Sequence, residues 1–333
     1  MAMKPLIKKL VEAYGPSGYE DHLRDLIRAE IKGVPDYISV DPLGNLIAGL
    51  RSKAKSGKKV MLSAHMDEIG VMVNYVDEKG FCRFTPIGGV GTLTCLGGRV
   101  RFANGVTGVI GIEKRDDNSR VPTFEQLFID VGATSHDDCP VKVGDAAGFV
   151  RAFEEHGDRL IAKTMDDRIG CAILIEALRA LKRTPHEVAF VFSVQEEVGL
   201  RGAGVSAFGL EPDLGIAVDV TRTGDTPKGV KMEVALGRGP AIKVRDSGML
   251  ADPRIKNLLV KRAQEAKIPY QLEVLESGTT DAAAMQLARG GVPAGCISIP
   301  CRHIHTPSET VDFRDVQWAV KLLVETLEKP IEL

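Results

Sequence analysis

The chain has 333 residues and a formal net charge of −2, with acidic and basic side chains mixed along its whole length. This balance offers no broad positive surface for nucleic acid or anionic lipid, so neither is an expected partner. The length suits one large α/β core with a smaller second domain.

The chain opens with a charged, amphipathic stretch, and its sequence has no apolar run long enough to cross a bilayer. Its six cysteines are scattered, without a Cys-x-x-Cys pair or the dense framework of small secreted proteins. We therefore expect a soluble, cytoplasmic protein whose cysteines are reduced.

Apolar residues at helical spacing predict two helices between residues 4 and 32, separated by a turn at Gly15-Pro16-Ser17-Gly18. Strands are predicted next at 37–40, 46–50 and 60–64, with a lysine-rich surface loop at 53–59. The third strand ends directly before His65.

Residues 69–161 differ in texture, since they are rich in glycine and in short β-branched runs such as 106–112 and 128–131. This pattern predicts a small all-β domain. Strands and helices then alternate: helices are expected at 167–181, 253–266, 281–288 and 313–327, and strands at 188–194, 215–220, 271–275 and 295–299. The sequence therefore predicts an α/β domain, residues 1–68 and 162–333, in which helices sandwich a mixed sheet and the β-rich insert interrupts the chain.

Side chains able to bind metals follow three of the predicted strands. His65 comes after strand 60–64, Glu196 and Glu197 after strand 188–194, and Asp219 closes strand 215–220. Ligands of open α/β sheets gather at the carboxyl ends of strands. Asp67 is placed to accept the second ring N–H of His65, as partners of metal-bound imidazoles commonly do.

The adjacent carboxylates Glu196 and Glu197 point to opposite sides if the chain there is extended. One can then bind a metal while the other faces a water molecule, which is the division that metal-assisted hydrolysis requires.

Two further motifs leave alternatives open. Asp166 and Asp167 precede a predicted helix, where an aspartate can cap the helix or bridge two metals. His303 and His305 would share a face if their segment is extended, so either could be a ligand. Together these histidines and carboxylates form a mixed nitrogen and oxygen set suited to two zinc, cobalt or manganese ions.

Five motifs, in this order, resemble those of the tetrahedral (TET) aminopeptidases, a family of dinuclear metallopeptidases that includes deblocking and glutamyl aminopeptidases and relatives labelled endoglucanase. They are Ala64-His65-Met66-Asp67-Glu68, Met165-Asp166-Asp167-Arg168, the run from Gln195 to Ala203, Ala217-Val218-Asp219-Val220 and His305-Thr306-Pro307-Ser308-Glu309. The resemblance extends over nearly the whole chain.

The resemblance implies an exopeptidase-type α/β domain with two metal ions. His65, Asp166 and Asp219 would hold one ion, and Asp166, Glu197 and His305 the other, so that Asp166 bridges them. Glu196 would be the general base, and Asp67 would support His65. The function implied is a metal-dependent aminopeptidase that removes the N-terminal residue of peptides, with one metal binding the free α-amino group.

The insert resembles the family's β-barrel-like domain, which helps to build hollow tetrahedral dodecamers, so a homo-oligomer is expected. The segment Gly278-Thr279-Thr280-Asp281-Ala282 resembles a family element near the site, although the resemblance assigns no role to Asp281. Residues 112–116 depart from the family's usual stretch, which affects the details of the insert rather than the chemistry.

Three other functions compete with this interpretation. Dimetal carboxypeptidases and deacylases share the core, but their bridging aspartate follows the first histidine more closely than Asp166 follows His65. A glycoside hydrolase would use paired carboxylates without His65 or His305. A non-catalytic shell protein would have no use for Glu196 beside Glu197. The sequence does not determine the preferred N-terminal residue or the native metal.

Overall fold

A computed structural model describes residues 3–52, 54, 57–117 and 119–333. The predicted loop at 53–59 falls partly on Lys53, Lys55 and Ser56, which lie outside the described residues. Within the described part of the chain, no helix has both the length and the apolar character needed to span a membrane.

The helices alternate with strands in the first and last parts of the chain. They are α1 (Met3–Val11), α2 (Asp21–Glu30), α3 (Thr92–Cys95), α4 (Met165–Ala180), α5 (Arg201–Leu210), α6 (Pro253–Glu265), α7 (Asp281–Gln286) and α8 (Phe313–Leu327). A short 3₁₀ helix spans Phe124–Gln126.

The strands form a large sheet and a closed barrel. They are β1 (Tyr37–Val40), β2 (Leu46–Leu50), β3 (Lys59–His65), β4 (Gly70–Val76), β5 (Cys82–Ile87), β6 (Arg99–Phe102), β7 (Thr107–Ile112), β8 (Leu127–Asp130), β9 (Ala146–Phe149), β10 (Glu154–His156), β11 (Arg159–Ala162), β12 (Glu187–Ser193), β13 (Leu214–Thr221), β14 (Ala241–Arg245), β15 (Gln271–Val274), β16 (Ala294–Arg302) and β17 (Glu309–Asp312).

The large sheet has the order β1-β2-β12-β3-β13-β16-β17-β11-β10, with β14 and β15 branching from β16. Its central strands β12, β3, β13 and β16 are parallel, and they are buried because helices cover both faces. One apolar core lies against α1, α2, α4, α6 and α8, and a second lies against α5 and α7. The predicted mixed sheet sandwiched by helices is confirmed.

The insert is a closed antiparallel barrel with the strand order β4-β5-β8-β7-β6-β9. Exposed and buried residues alternate along β6, so that Val100 and Phe102 fill the barrel core while Arg99 and Arg101 face outward. The barrel-like character expected of the insert is therefore confirmed. Its strands lie between residues 70 and 149, whereas β10 and β11 pair with the large sheet through β17. The limits at residues 69 and 161 stay a prediction.

The sequence does not predict helix α5, because the segment is rich in glycine. Gly202, Gly204 and Gly209 lower the intrinsic helix propensity of this segment. A Cβ atom on Gly202 would collide with the Asn45 side chain and with the backbone of Val194. The close approach of α5 to the end of β12 thus requires glycine at position 202. The same glycine weakens the helical signal in the sequence.

The edge of the large sheet offers a test of packing. Gly49 on β2 lies opposite Tyr37 on β1, and a side chain on Gly49 would collide with the Tyr37 ring. Gly49→Val should therefore lower the free energy of unfolding by about 1–3 kcal/mol in a chemical denaturation experiment. The control is Gly209→Ala, because no atom of the described residues beyond its own stretch of helix would lie within 4 Å of a Cβ added there. The free energy of unfolding of this control should rise by about 0.5–1 kcal/mol. Wild-type stability in Gly49→Val would contradict the described contact.

Candidate active site

Three parallel strands bring the predicted side chains to one edge of the sheet. His65 ends β3 and pairs in register with Ser193, the last residue of β12, so Glu196 follows three residues beyond it. Asp219 lies on the neighbouring strand β13. The carboxyl ends of these strands therefore supply an imidazole and carboxylates to one place, as expected for an open α/β sheet.

The first half of the site surrounds the His65 imidazole, which is 1% exposed. Its Nε2 atom lies 3.0 Å from Oδ1 of Asp166, 3.9 Å from Oε2 of Glu196 and 4.0 Å from Oδ1 of Asp219. Asp166 reaches this position from the start of α4, which packs against β3 and β13. Segments far apart in the chain thus converge within contact distance.

The second half of the site surrounds the His305 imidazole. Its Nε2 atom lies 3.3 Å from Oδ2 of Asp166 and 3.2 Å from Oε2 of Glu197. The two oxygens of Asp166 therefore face different histidines. The segment around His303 and His305 turns instead of running extended, and both residues have a positive φ. His303 is exposed, so of these two histidines His305 is the one that reaches the site.

Asp67 lies directly behind this arrangement and is fully buried. Nδ1 of His65 is 3.1 Å from the Asp67 carbonyl oxygen and 3.4 Å from its carboxylate. The Asp67 carboxylate accepts hydrogen bonds from the Ser17 hydroxyl and from the backbone N–H groups of Glu196 and Glu197. Asp67 thus fixes both the imidazole and the loop that carries the paired glutamates.

Two carboxylates that the sequence interpretation left without a role also hold the site. Glu309 accepts hydrogen bonds from the backbone N–H of Asp166 at 2.9 Å and of His305 at 2.8 Å. Asp281 accepts the hydroxyls of Ser63 and Ser193, which lie on β3 and β12 just before the functional residues. Both belong to motifs already noted in the sequence, but the motifs alone do not reveal these contacts.

Burial and like charge set the electrostatics. Burial raises the pKa of Glu196 well above its ordinary value; His65 opposes the shift, and Asp219 and Glu197 reinforce it. Burial also raises the pKa of Asp219; His65 opposes this shift, and Asp166 adds to it. Burial would lower the pKa of His305, but hydrogen bonds to Asp166 and Glu197 raise it to about 11.

These residues suit divalent cations. Two groups of side chains each bring three potential ligand atoms within 4.8 Å of one another: His65 with Glu196 and Asp219, and His65 with Asp166 and Glu197. The carboxylates outnumber the imidazoles, so burial leaves an excess of negative charge that a cation would offset. The donor set of imidazole nitrogens and carboxylate oxygens is one that zinc, cobalt and manganese accept.

A cavity of about 300 Å³ adjoins the site. Beyond the histidines and carboxylates, its walls include apolar, hydroxyl and cationic side chains, among them Leu200, Thr221, Arg222, Leu275 and Ile304. The cavity leaves room for a small chemical group beside the buried carboxylates.

The sequence pattern of the M42 glutamyl aminopeptidase family matches residues 44–322. A protein of Acetivibrio thermocellus is 48% identical over 327 residues, which cover 98% of each chain. The lysyl aminopeptidase of Pyrococcus furiosus is 38% identical over 348 residues, again with 98% of each chain covered.

Solved structures show the same similarity. An aminopeptidase from Desulfurococcus kamchatkensis is 42% identical, with a TM-score of 0.94 over 98% of this chain and 94% of that one. The Pyrococcus horikoshii TET1 peptidase, described as assembling into a tetrahedron or a large octahedral shell, is 30% identical, with a TM-score of 0.89 over 99% and 100%. A Thermotoga maritima protein named endoglucanase is 36% identical, with a TM-score of 0.82 over 97% and 96%.

Proposed function

The chain belongs to the M42 glutamyl aminopeptidase family, and from this premise we propose that it is a metal-dependent aminopeptidase that hydrolyses the N-terminal residue from peptides. One observation carries the proposal: the Asp166 carboxylate lies between His65 and His305, with Glu196, Glu197 and Asp219 around it. Such a cluster of buried carboxylates and imidazoles has the composition of a dinuclear hydrolase centre.

We assign two cation positions within this cluster. His65, Asp166 and Asp219 would hold one divalent ion, and Asp166, Glu197 and His305 would hold the other. The orientation of the Asp166 oxygens toward different histidines supports this division. Zinc, cobalt and manganese all fit the donor set, and the proposal does not distinguish among them.

Divalent ions bound there would lower the pKa of water toward neutrality and polarise the scissile carbonyl. Glu196 acts as the general base, because its carboxylate lies at the site and belongs to neither proposed ligand set. It accepts the proton of the attacking water and returns it to the leaving amine. Asp67 keeps His65 oriented and holds the Glu196 backbone through the contacts described above.

Burial raises the pKa of Glu196 above its ordinary value, which makes this carboxylate a stronger proton acceptor than an exposed glutamate. The cavity beside the site offers space for the side chain of the first residue of a peptide. Cleavage at the first peptide bond follows if the free α-amino group is bound at the carboxylate cluster.

Rival hydrolytic functions have weaker support. A dimetal carboxypeptidase or deacylase could use the same centre, but the aminopeptidase names of the relatives favour the aminopeptidase assignment. The endoglucanase name of one similar structure raises glycoside hydrolysis as a second candidate. That chemistry needs two carboxyl groups but gives no role to the buried contacts of His65 and His305.

We also propose that the barrel, within the predicted limits 69–161, serves homo-oligomer formation. The TET1 peptidase that resembles this chain can assemble into a tetrahedron or a large octahedral shell, and a second TET1 structure has a dodecamer in the asymmetric unit. The barrel unit exposes several large apolar side chains: Tyr75, Leu93, Val109, Val121 and Val143. A tetrahedral dodecamer is therefore the proposed assembly, and a cytoplasmic location stays a prediction.

Replacing the proposed base tests the mechanism. Glu196→Gln should lower kcat on an aminoacyl chromogenic substrate by at least about 10²-fold, since the amide cannot accept the proton. Metal content by elemental analysis should stay at the wild-type level, because Glu196 is outside the proposed ligand sets. Glu332→Gln, at an exposed position near the end of the chain, is the matched control and should leave both quantities unchanged. Near wild-type turnover in Glu196→Gln would refute the base assignment.

Chelation separates the peptidase from the glycosidase. Dialysis against EDTA should remove both aminopeptidase activity and bound metal, and added zinc, cobalt or manganese should restore the activity. A metal-free carboxylate mechanism on a cellulose-type substrate would instead survive the treatment. Glycosidase turnover that persists in EDTA, together with absent peptidase turnover before chelation, would overturn the proposed function.

A further inference from the structure

Two cysteine side chains of the barrel domain contact each other, and neither belongs to the carboxylate cluster. Sγ of Cys82 lies 3.7 Å from Sγ of Cys139, 57 residues later in the chain. Cys82 begins β5 and is fully buried in the barrel core, whereas Cys139 lies in the loop before β9 and is half-buried. The sulfurs of Cys171 and Cys301 contact backbone oxygens instead.

The thiols are held together by two structured turns. In the turn that precedes Cys82, the Asp77 carboxylate accepts the backbone N–H groups of Lys79 and Phe81. In the turn that precedes Cys139, the Asp138 carboxylate accepts those of Thr134 and Ser135. Each side chain ties its own turn, so the position of each sulfur is set locally.

These two turns also pack against each other. The backbone N–H of His136 donates to the carbonyl oxygen of Glu78 at 3.3 Å. A Cβ atom on Gly80 would lie 2.6 Å from Cβ of Ala133 and 2.8 Å from the carbonyl oxygen of Ser135, so glycine is required at this contact. The turns therefore approach as closely as their backbones allow, and the sulfurs meet behind them.

We propose that Cys82 and Cys139 form an oxidisable dithiol site that takes a low-molecular-weight disulfide as its oxidant and closes to an intramolecular disulfide. A disulfide bond measures about 2.0 Å between sulfurs, so the two atoms must approach by roughly 1.7 Å. Rotation of the half-buried Cys139 side chain supplies this movement, since the backbones of the two turns already lie as close as they can.

The reaction balances through two exchange steps. The Cys139 thiolate attacks one sulfur of the oxidant, forms a mixed disulfide and releases the first small thiolate. Cys82 then gives its proton to solvent and attacks the Cys139 sulfur, which releases the second small thiol. Two protein thiols are oxidised and one small disulfide is reduced to two thiols. Exposure makes Cys139 the entry point, because burial raises the pKa of Cys82 to about 12 and makes that thiol the poorer first nucleophile.

The product would close a covalent ring through strands β5 to β8 of the barrel. Such a cross-link reduces the number of conformations open to the unfolded chain and thereby stabilises the folded protein. Oxidation should therefore raise the melting temperature of the protein by roughly 3–8 °C, and a reducing agent should reverse the shift.

The test incubates the full-length protein with oxidised glutathione and counts free thiols after denaturation. We expect the count to fall from six to four, and peptide mapping without reductant should recover one link between Cys82 and Cys139. Cys139→Ser should keep all its remaining thiols and show no shift in melting temperature. Cys95→Ala, which removes another thiol of the barrel, should still lose two.

Three results would overturn the proposal: an unchanged thiol count, a glutathione adduct that persists on Cys139 without the link, or a link that joins other cysteines. The mapping of the wild-type protein decides among these results by itself, so the proposal stays testable if a variant fails to fold. The outcome is also independent of peptidase activity.

Discussion

The site depends on one buried carboxylate that holds two distant segments in place. Glu309 accepts the backbone N–H groups of both Asp166 and His305, and this contact sets the Asp166 side chain between the two imidazoles. Oδ1 of Asp166 then faces His65 and Oδ2 faces His305. Without this shared acceptor, the backbone N–H groups of Asp166 and His305 would lose the partner that links the turn carrying His305 to the start of α4.

The cost of this arrangement is the burial of several like charges. Glu196 and Asp219 have raised pKa values because water is excluded and other carboxylates are close. Such a cluster lowers stability unless cations offset it. The cluster lies at the carboxyl ends of the parallel strands, where Asp67 holds the Glu196 backbone and Asp281 holds the Ser193 hydroxyl at the end of β12. The destabilising charges thus lie where the proposed chemistry needs them.

Much of this organisation follows from the sequence because apolar runs and their endpoints are local properties. Strands β1 and β2 and helix α8 occur where the periodicity predicts them, and His65 and Asp219 lie at strand ends as expected. The contacts of Asp281 and Glu309 could not be predicted, since they join residues that only the fold brings together. The choice between His303 and His305 likewise depends on a turn with positive φ values, which the local sequence does not specify.

In the proposed centre, two cations share the Asp166 carboxylate. Crystals of the protein grown with cobalt, measured at the cobalt absorption edge, test it most directly. Two anomalous peaks are expected, one on the His65 side and one on the His305 side of Asp166. A single peak, peaks remote from Asp166, or no peak within the cluster would contradict it.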